Sequence, residues 1–397
     1  MIATADNKAT ARTARRSGTK LIFFDENVIR ISPAGSCVLL AMRGLDGEPG
    51  IEVYCNRLEP GMAGQVRKRT VPLPRGPVLA RSVLFTIFAC CAYALRPQKH
   101  ALKISTQGVF PFCDVAYAHC CHGLFLSRYR SHIGGGILRR TARLLNHAWG
   151  AVTERIGFRA AKLVIVPSRG LARELGEAYG KLVAGKIRVL PNPVDTKHYG
   201  RPEGFSAAQF RSELAVPEGA ILFSFCALGN FEWKGLRLAL EALSTLQESR
   251  AHLVVIGGGK GEIAEYARVA EKLGVASKVR FAGLQSDIRP FLWASDAFLF
   301  PSAYETFPLV CLQAAAAGLP LLTTPLYGVE EFAAGGETGW TMDRSVESIA
   351  AAMRCAIAKG AELAQLGNAA RARALGYGVD KFQAKWRALI DELLSVR

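Results

Sequence analysis

The stretch Phe300-Pro301-Ser302-Ala303-Tyr304-Glu305-Thr306-Phe307-Pro308 sets a carboxylate between two elements of different periodicity. The apolar run Ala297-Phe298-Leu299-Phe300 predicts a buried parallel-type strand, and Pro301-Ser302 ends it ahead of a helix expected to start between Thr306 and Pro308. Glu305 thus falls on a strand-to-helix loop. In an open α/β sheet, ligands bind at the carboxyl ends of the strands, where a helix N-terminus offers free N–H groups and a partial positive charge. A phosphate or diphosphate suits the helix end, and Glu305 can accept hydrogen bonds from sugar hydroxyls. Ala314 to Ala317 keep the helix slim for close packing, and Gly318 with Pro320 ends it. Local physics alone favours an ordinary strand–helix unit with a solvated glutamate.

The elements around this loop repeat the same logic. Ile221 to Phe225 predicts a strand, followed by Gly229-Asn230-Phe231-Glu232-Trp233-Lys234-Gly235 and a helix from Leu236. Leu253 to Ile256 is a strand running into Gly257-Gly258-Gly259, which permits close backbone approach. Lys278 to Gly283 forms another strand, Leu321 to Thr324 the next, and Ala350 to Leu366 and Asp380 to Leu394 read as helices. Earlier in the chain, Leu21-Ile22-Phe23-Phe24, the turn Pro33 to Ser36, a helix over Cys37 to Leu45 and the strand Ile51 to Cys55 build a βαβ unit. Strands at Ala101 to Thr106 and Val115 to Ala118 follow, and His119 stands at the carboxyl end of the second. A lone His there is most often structural. Ala161 to Ser168 is a further strand, with a helix over Leu171 to Tyr179.

These residues resemble the signature of the nucleotide-sugar-dependent retaining glycosyltransferases of family four, which have the GT-B fold. The family pattern is an acidic residue, Phe-Gly or Phe-Pro, a second Glu eight positions after the first, then Ala-x-Ala-x-Gly-x-Pro. Glu305, Phe307-Pro308 and Gly318-Leu319-Pro320 match it, and Gln313 replaces the second carboxylate, which in the family usually binds the ribose. Gln313 can still accept through its amide oxygen. The Gly229 to Gly235 loop is similar to the family's Gly-Arg-x-x-x-Lys-Gly loop, with Lys234 retained and Asn230 where Arg is usual, so half of a diphosphate-neutralising pair is missing. Pro191-Asn192-Pro193-Val194-Asp195 resembles the segment that closes the N-terminal domain.

The resemblance implies two Rossmann-like doubly wound α/β domains facing across a cleft: residues 21–200 on the acceptor side, 201–380 binding the nucleotide sugar, and 381–397 a helix crossing back. It implies retaining, metal-independent transfer of a hexose from a UDP- or GDP-sugar to a hydroxyl of a glycan or lipid-linked acceptor, making an α-glycosidic bond. No Asp-x-Asp motif is present, and no cofactor is expected. Glu305, Lys234 and His119 would be catalytic. Gly229, Asn230, Gly257, Gly283, Phe307, Gln313 and the N–H groups of Leu309 and Val310 would bind the donor, and Gly35 would lie on a loop near donor and acceptor. His122 is a lesser candidate. An epimerase or phosphorylase of the same architecture, or a weakened nucleotide-sugar-binding module, are the alternatives. A nicotinamide-linked dehydrogenase is disfavoured for want of a complete glycine fingerprint.

At 397 residues the chain exceeds one core, and half its residues are apolar, which excludes global disorder. Its net charge of +17 is lopsided: residues 1–200 hold 30 Lys and Arg against 12 Asp and Glu, and the remainder is nearly neutral. No nucleic-acid module accompanies that charge. An anionic membrane surface is the expected partner; the apolar segment Val83 to Leu95, preceded by Arg67-Lys68-Arg69, Arg75 and Arg81, is too short to span a bilayer and reads first as a core helix, or else as an interfacial helix with its basic flank on lipid headgroups. Arg128, Arg130, Arg139, Arg140 and Arg143 mark a basic helical stretch broken by Gly134-Gly135-Gly136, a candidate mobile lid. Residues 1–20 read as a disordered basic tail. Of ten cysteines, the pairs Cys90-Cys91 and Cys120-Cys121 lack metal-ligand spacing, and all read as reduced thiols of a cytoplasmic protein, peripheral at the inner face of the cell membrane.

Overall fold

A computed structural model describes residues 20–45, 50–129, 136–246 and 250–395. The basic tail up to residue 19, Arg130 and Gly134-Gly135 lie outside the described residues. The chain divides into two compact units, Met1–Asn192 with Asp380–Arg397, and Pro193–Val379. The division falls after Asn192 rather than near 200, because Val194 already pairs within the second unit: its N–H donates to the Tyr377 carbonyl at 2.9 Å.

The first unit is built on β1 (Leu21–Phe24), β2 (Asn27–Val28), β3 (Ile51–Cys55), β4 (Arg57–Leu58), β5 (Arg67–Thr70), β6 (Leu102–Thr106), β7 (Val115–Tyr117), β8 (Leu163–Val166) and β9 (Ile187–Val189). Seven of these form an all-parallel sheet in the order β5-β3-β1-β6-β7-β8-β9, and β2 pairs with β4 separately. Strand order reverses at β1, so the switch point opens between the carboxyl ends of β1 and β6. Leu21 and Phe23 point into one core layer and Ile22 and Phe24 into another, which is why this strand is apolar without interruption. Phe24 stacks on Phe110 and Tyr54, with ring centroids 3.8 and 4.8 Å apart. The C-terminal helix Val379–Ser395 buries Phe382, Trp386 and Ile390 in the first of these layers.

Three local expectations change. Pro33 to Ser36 is the first turn of the helix Pro33–Arg43, with Ser32 as N-cap and Pro33 at the first helical position, where its missing N–H costs nothing. Arg67-Lys68-Arg69 belongs to the edge strand β5; Arg69 Nε donates to Glu52 on β3 at 2.7 Å, and the exposed charges protect the open edge. The expected helix over 350–366 is two helices, Val346–Lys359 and Leu363–Ala374, separated where Gly360 takes φ +52°.

The second unit carries β10 (Ile221–Ala227), β11 (Ala251–Gly257), β12 (Val279–Gly283), β13 (Ala297–Phe300), β14 (Leu321–Thr323) and β15 (Gly339–Thr341). They form one parallel sheet, order β12-β11-β10-β13-β14-β15. Here the switch point lies between β10 and β13. Each unit is thus a doubly wound, Rossmann-like α/β domain.

Candidate active site

The loops that leave β10 and β13 meet at the second unit's switch point. After β10 the chain takes Asn230 at φ +61°, a left-handed conformation that Asn tolerates better than most side chains. A one-turn helix, Phe231–Lys234, follows, and Gly235 at φ +83° opens the helix Leu236–Thr245. A Cβ on Gly235 would overlap the Pro301 carbonyl of the other loop. The two loops are then stitched together: Ala303 N–H donates to the Trp233 carbonyl at 3.0 Å, and Trp233 Nε1 to the Tyr304 carbonyl at 3.2 Å.

This stitching sets Lys234 Nζ against Glu305 Oε1 as an ion pair, although the residues are 71 apart in sequence. Ser302 Oγ donates to the same carboxylate oxygen at 3.0 Å, and Thr324 Oγ1 donates to the Ser302 carbonyl at 2.6 Å. Lys234 also lies 5.7 Å from the centroid of the Phe300 ring. The pair is largely sheltered yet reachable, with 23% and 16% of the two side chains exposed. Arg344 was not anticipated: its Nε donates to the Pro301 carbonyl at 3.2 Å and its Nη2 to the Glu232 carbonyl at 2.9 Å, clamping both loops from outside. Only its place after β15 brings it here.

Replacing Gly235 with Ala is expected to destabilise the protein by about 1–3 kcal/mol, since it adds both a left-handed Cβ and a backbone overlap. A denaturant midpoint equal to wild type would show that the two loops are not packed this way.

The remaining residues sort into two groups. Leu309 and Val310 are the first two residues of the helix Leu309–Ala316, whose first N–H groups have no partner within the helix. Gln313 stands one turn further on, partly exposed, and Asn230 is exposed. Gly229 lies against Glu262, whose carboxylate accepts the Phe231 N–H at 2.6 Å. Gly283, at φ +70°, ends β12.

Three expected roles find a packing reason instead. A Cβ on Gly257 would overlap the Ala227 carbonyl of β10, so its missing side chain serves strand packing. Phe307 is buried against Gly328, Phe332 and Tyr377 in the core. Gly35 is helical, not in a loop, and a Cβ there would overlap the Asn27 carbonyl of β2.

The first unit has its own feature at the β1/β6 switch point. Asp25, directly after β1, is buried; it accepts from the Asn27 N–H at 2.8 Å and from Thr106 Oγ1 at the end of β6. Burial raises its pKa above the ordinary carboxylate value. Asp25, Thr106, His122, Asn146 and Trp149 line a cavity of about 290 Å³. The signal available in the sequence was an acidic residue immediately after a buried strand. His119, beyond β7, packs its ring 4.2 Å from that of Tyr117, and burial pushes its pKa down to about 4, so it is neutral at pH 7.

Comparison with known proteins matches each unit to a glycosyltransferase domain. The model described as Glycosyltransferase Family 4 matches residues 51–198, and that described as Glycosyl transferases group 1 matches residues 222–359. Each unit thus matches a glycosyltransferase domain family, and the chain has the GT-B fold of the lipopolysaccharide-type enzymes it resembles. It is 32% identical over 203 residues to the lipopolysaccharide core biosynthesis glycosyltransferase LpsE of Rhizobium meliloti, covering 49% of this chain and 55% of that one. The crystal structure of WaaG, a glycosyltransferase involved in lipopolysaccharide biosynthesis, aligns with TM-score 0.76 and 20% identity over 93% of this chain and 99% of that one. Anabaena HepE in complex with UDP and glucose aligns with TM-score 0.73 and 18% identity over 94% of this chain and all of that one. The chain spans about half the length of the first curated relatives it matches.

Proposed function

We propose that the protein is a retaining, metal-independent hexosyltransferase that moves a sugar from a UDP- or GDP-sugar to a hydroxyl of a glycan or lipid-linked acceptor, forming an α-glycosidic bond. The observation that carries this reading is the Lys234–Glu305 pair at the second unit's switch point. When the donor enters, its diphosphate takes Lys234 and a sugar hydroxyl takes Glu305, so the donor exchanges one ion pair for two interactions. As the bond from the anomeric carbon to the diphosphate breaks, negative charge grows on the leaving group, and a preorganised ammonium stabilises that charge more than it stabilises the ground state. The N–H groups of Leu309 and Val310 hold phosphate oxygens, and Gln313 accepts from the ribose. His119, being neutral, offers hydrogen bonds rather than charge. HepE's complex with UDP and glucose favours a UDP-sugar, and the LpsE and WaaG likenesses favour an envelope-type glycan acceptor.

A thermal-shift panel of UDP, GDP, ADP and their common sugars, on wild type and Lys234→Ala, tests the donor site. One nucleotide should raise the melting temperature of wild type and not of the variant. Sugar transfer to an added acceptor then separates a transferase from an epimerase. Donor binding with no turnover would favour the binding-module reading, which Asn230 and Gln313 keep in play.

The membrane surface belongs to the same proposal. The helices Val78–Ala94 and Ile137–Ala160 expose Val78, Ile87, Phe88, Ile137, Leu138 and Leu145, with Arg139, Arg140 and Arg143 exposed beside them. No described helix is long and apolar enough to cross a membrane. The protein should co-sediment with anionic vesicles, should be released by high salt, and should lose binding when Ile137 and Leu138 are both changed to Asp. Equal binding to neutral vesicles would count against this surface.

A further inference from the structure

Between β7 and the helix Ile137–Ala160 the first unit gathers three soft or borderline ligand atoms. Cys120, His122 and His147 each present one, and these atoms lie within 4.8 Å of one another. His122 Nδ1 and His147 Nδ1 are 2.9 Å apart and share a hydrogen bond. The cluster is built rather than incidental. Gly150 leaves room for the His122 ring, since a Cβ there would strike it, and the Phe125 ring stacks on His147 with centroids 3.9 Å apart and planes within 6°. The Glu154 carboxylate accepts the His122 N–H at 3.0 Å and the Tyr179 hydroxyl, anchoring the loop to the helix.

The geometry points to a divalent-cation site of the zinc class, held by Cys120 Sγ and the Nδ1 atoms of His122 and His147. A thiolate with two imidazoles is a zinc donor set, with zinc–nitrogen distances of about 2.0–2.1 Å and zinc–sulfur of about 2.3 Å. Around a tetrahedral ion such bonds put two nitrogens about 3.3 Å apart and sulfur about 3.6 Å from each. The cluster reaches that arrangement by side-chain movements on the order of 1 Å, well within rotamer adjustment.

Binding is balanced by one proton. The thiol loses its proton to solvent, while the proton shared between the imidazoles stays on the pair by moving to Nε2. The fourth position is left for water or an oxygen ligand, and His122 also lines the 290 Å³ cavity at the β1/β6 switch point. The ion would join the segment after β7 to the long helix, and nothing in this inference depends on the donor site of the second unit.

The test is zinc binding by the full chain. Protein stripped with a strong chelator is titrated with zinc against a chromophoric competitor, and cobalt is loaded separately for its visible spectrum. One ion per chain is expected, with about one proton released and a thiolate-to-cobalt charge-transfer band in the near ultraviolet. Cys120→Ser should remove that band, and Cys120→Ser and His147→Gln should each weaken zinc by at least about 100-fold. Cys355→Ser, at an exposed cysteine, should leave affinity unchanged. Cys120→Ser is close to isosteric and His147→Gln keeps a hydrogen-bonding group, so each is read only if its metal-free melting temperature matches wild type. No stoichiometric zinc on folded wild type overturns the site, as does zinc held equally well by both variants.

Discussion

Lys234→Ala should lower kcat/KM for the donor by a factor on the order of 10²–10³, the scale seen when one preorganised group facing a developing anion is removed. The effect should fall mainly on kcat, because on the proposed mechanism the charge it meets is larger in the transition state than in the bound donor. Glu305→Gln should be similarly damaging for a different reason. The amide keeps the shape but loses the carboxylate that holds Lys234 and receives Ser302 Oγ and that, on the proposed mechanism, accepts from a sugar hydroxyl. Because the two side chains form one pair, their losses should not add. The double variant is expected to lie within about tenfold of the worse single one, and steady-state kinetics of all four proteins closes the cycle. Fully additive losses would mean that the two groups act on the donor independently.

The second large effect concerns the C-terminal helix. Trp386→Ala should destabilise the protein by about 3–5 kcal/mol, a large part of the 5–15 kcal/mol typical of a domain. Trp386 is fully buried, its ring centroid 5.2 Å from that of Tyr117 and 6.2 Å from that of Phe382. The surrounding helix cannot collapse into the hole, because Gln383 Nε2 donates to the Leu40 carbonyl at 2.9 Å and Arg387 to the Gly44 carbonyl. Trp386→Phe should cost far less. Trp386 Nε1 has no acceptor among the described residues, so the smaller ring loses area but also removes an unmet buried donor, a term of about 1–3 kcal/mol. Urea midpoints of the two variants decide it. An Ala variant losing under about 1 kcal/mol would mean that the helix does not belong to this core.

Some of this was present in local sequence. Continuous apolar runs such as Leu21–Phe24 and Ala297–Phe300 announce strands buried on both faces, and only a parallel sheet covered by helices buries them so. A local pattern of strand, breaker and helix start placed Glu305 and Lys234 on loops, and the family motifs they resemble singled them out. What a local pattern cannot report is which distant group fills the space beside a residue. Gly257 and Gly35 look from sequence like openings for a ligand, yet in the fold other backbone segments use those openings. Phe307 sits inside a motif but faces the core.

Local sequence determined the strand–helix units and the strand exits where polar groups gather, since these follow from periodicity and breakers over fewer than about twenty residues, while length called for more than one core and the motif resemblance implied two doubly wound domains. The tertiary structure alone decided that Lys234 touches Glu305, that Arg344 clamps their loops and that His147 comes beside Cys120 and His122. Those meetings join residues far apart in the chain. They depend on backbone closeness, as at Gly235 against Pro301, and on the order in which parallel strands assemble, and no window of sequence encodes either.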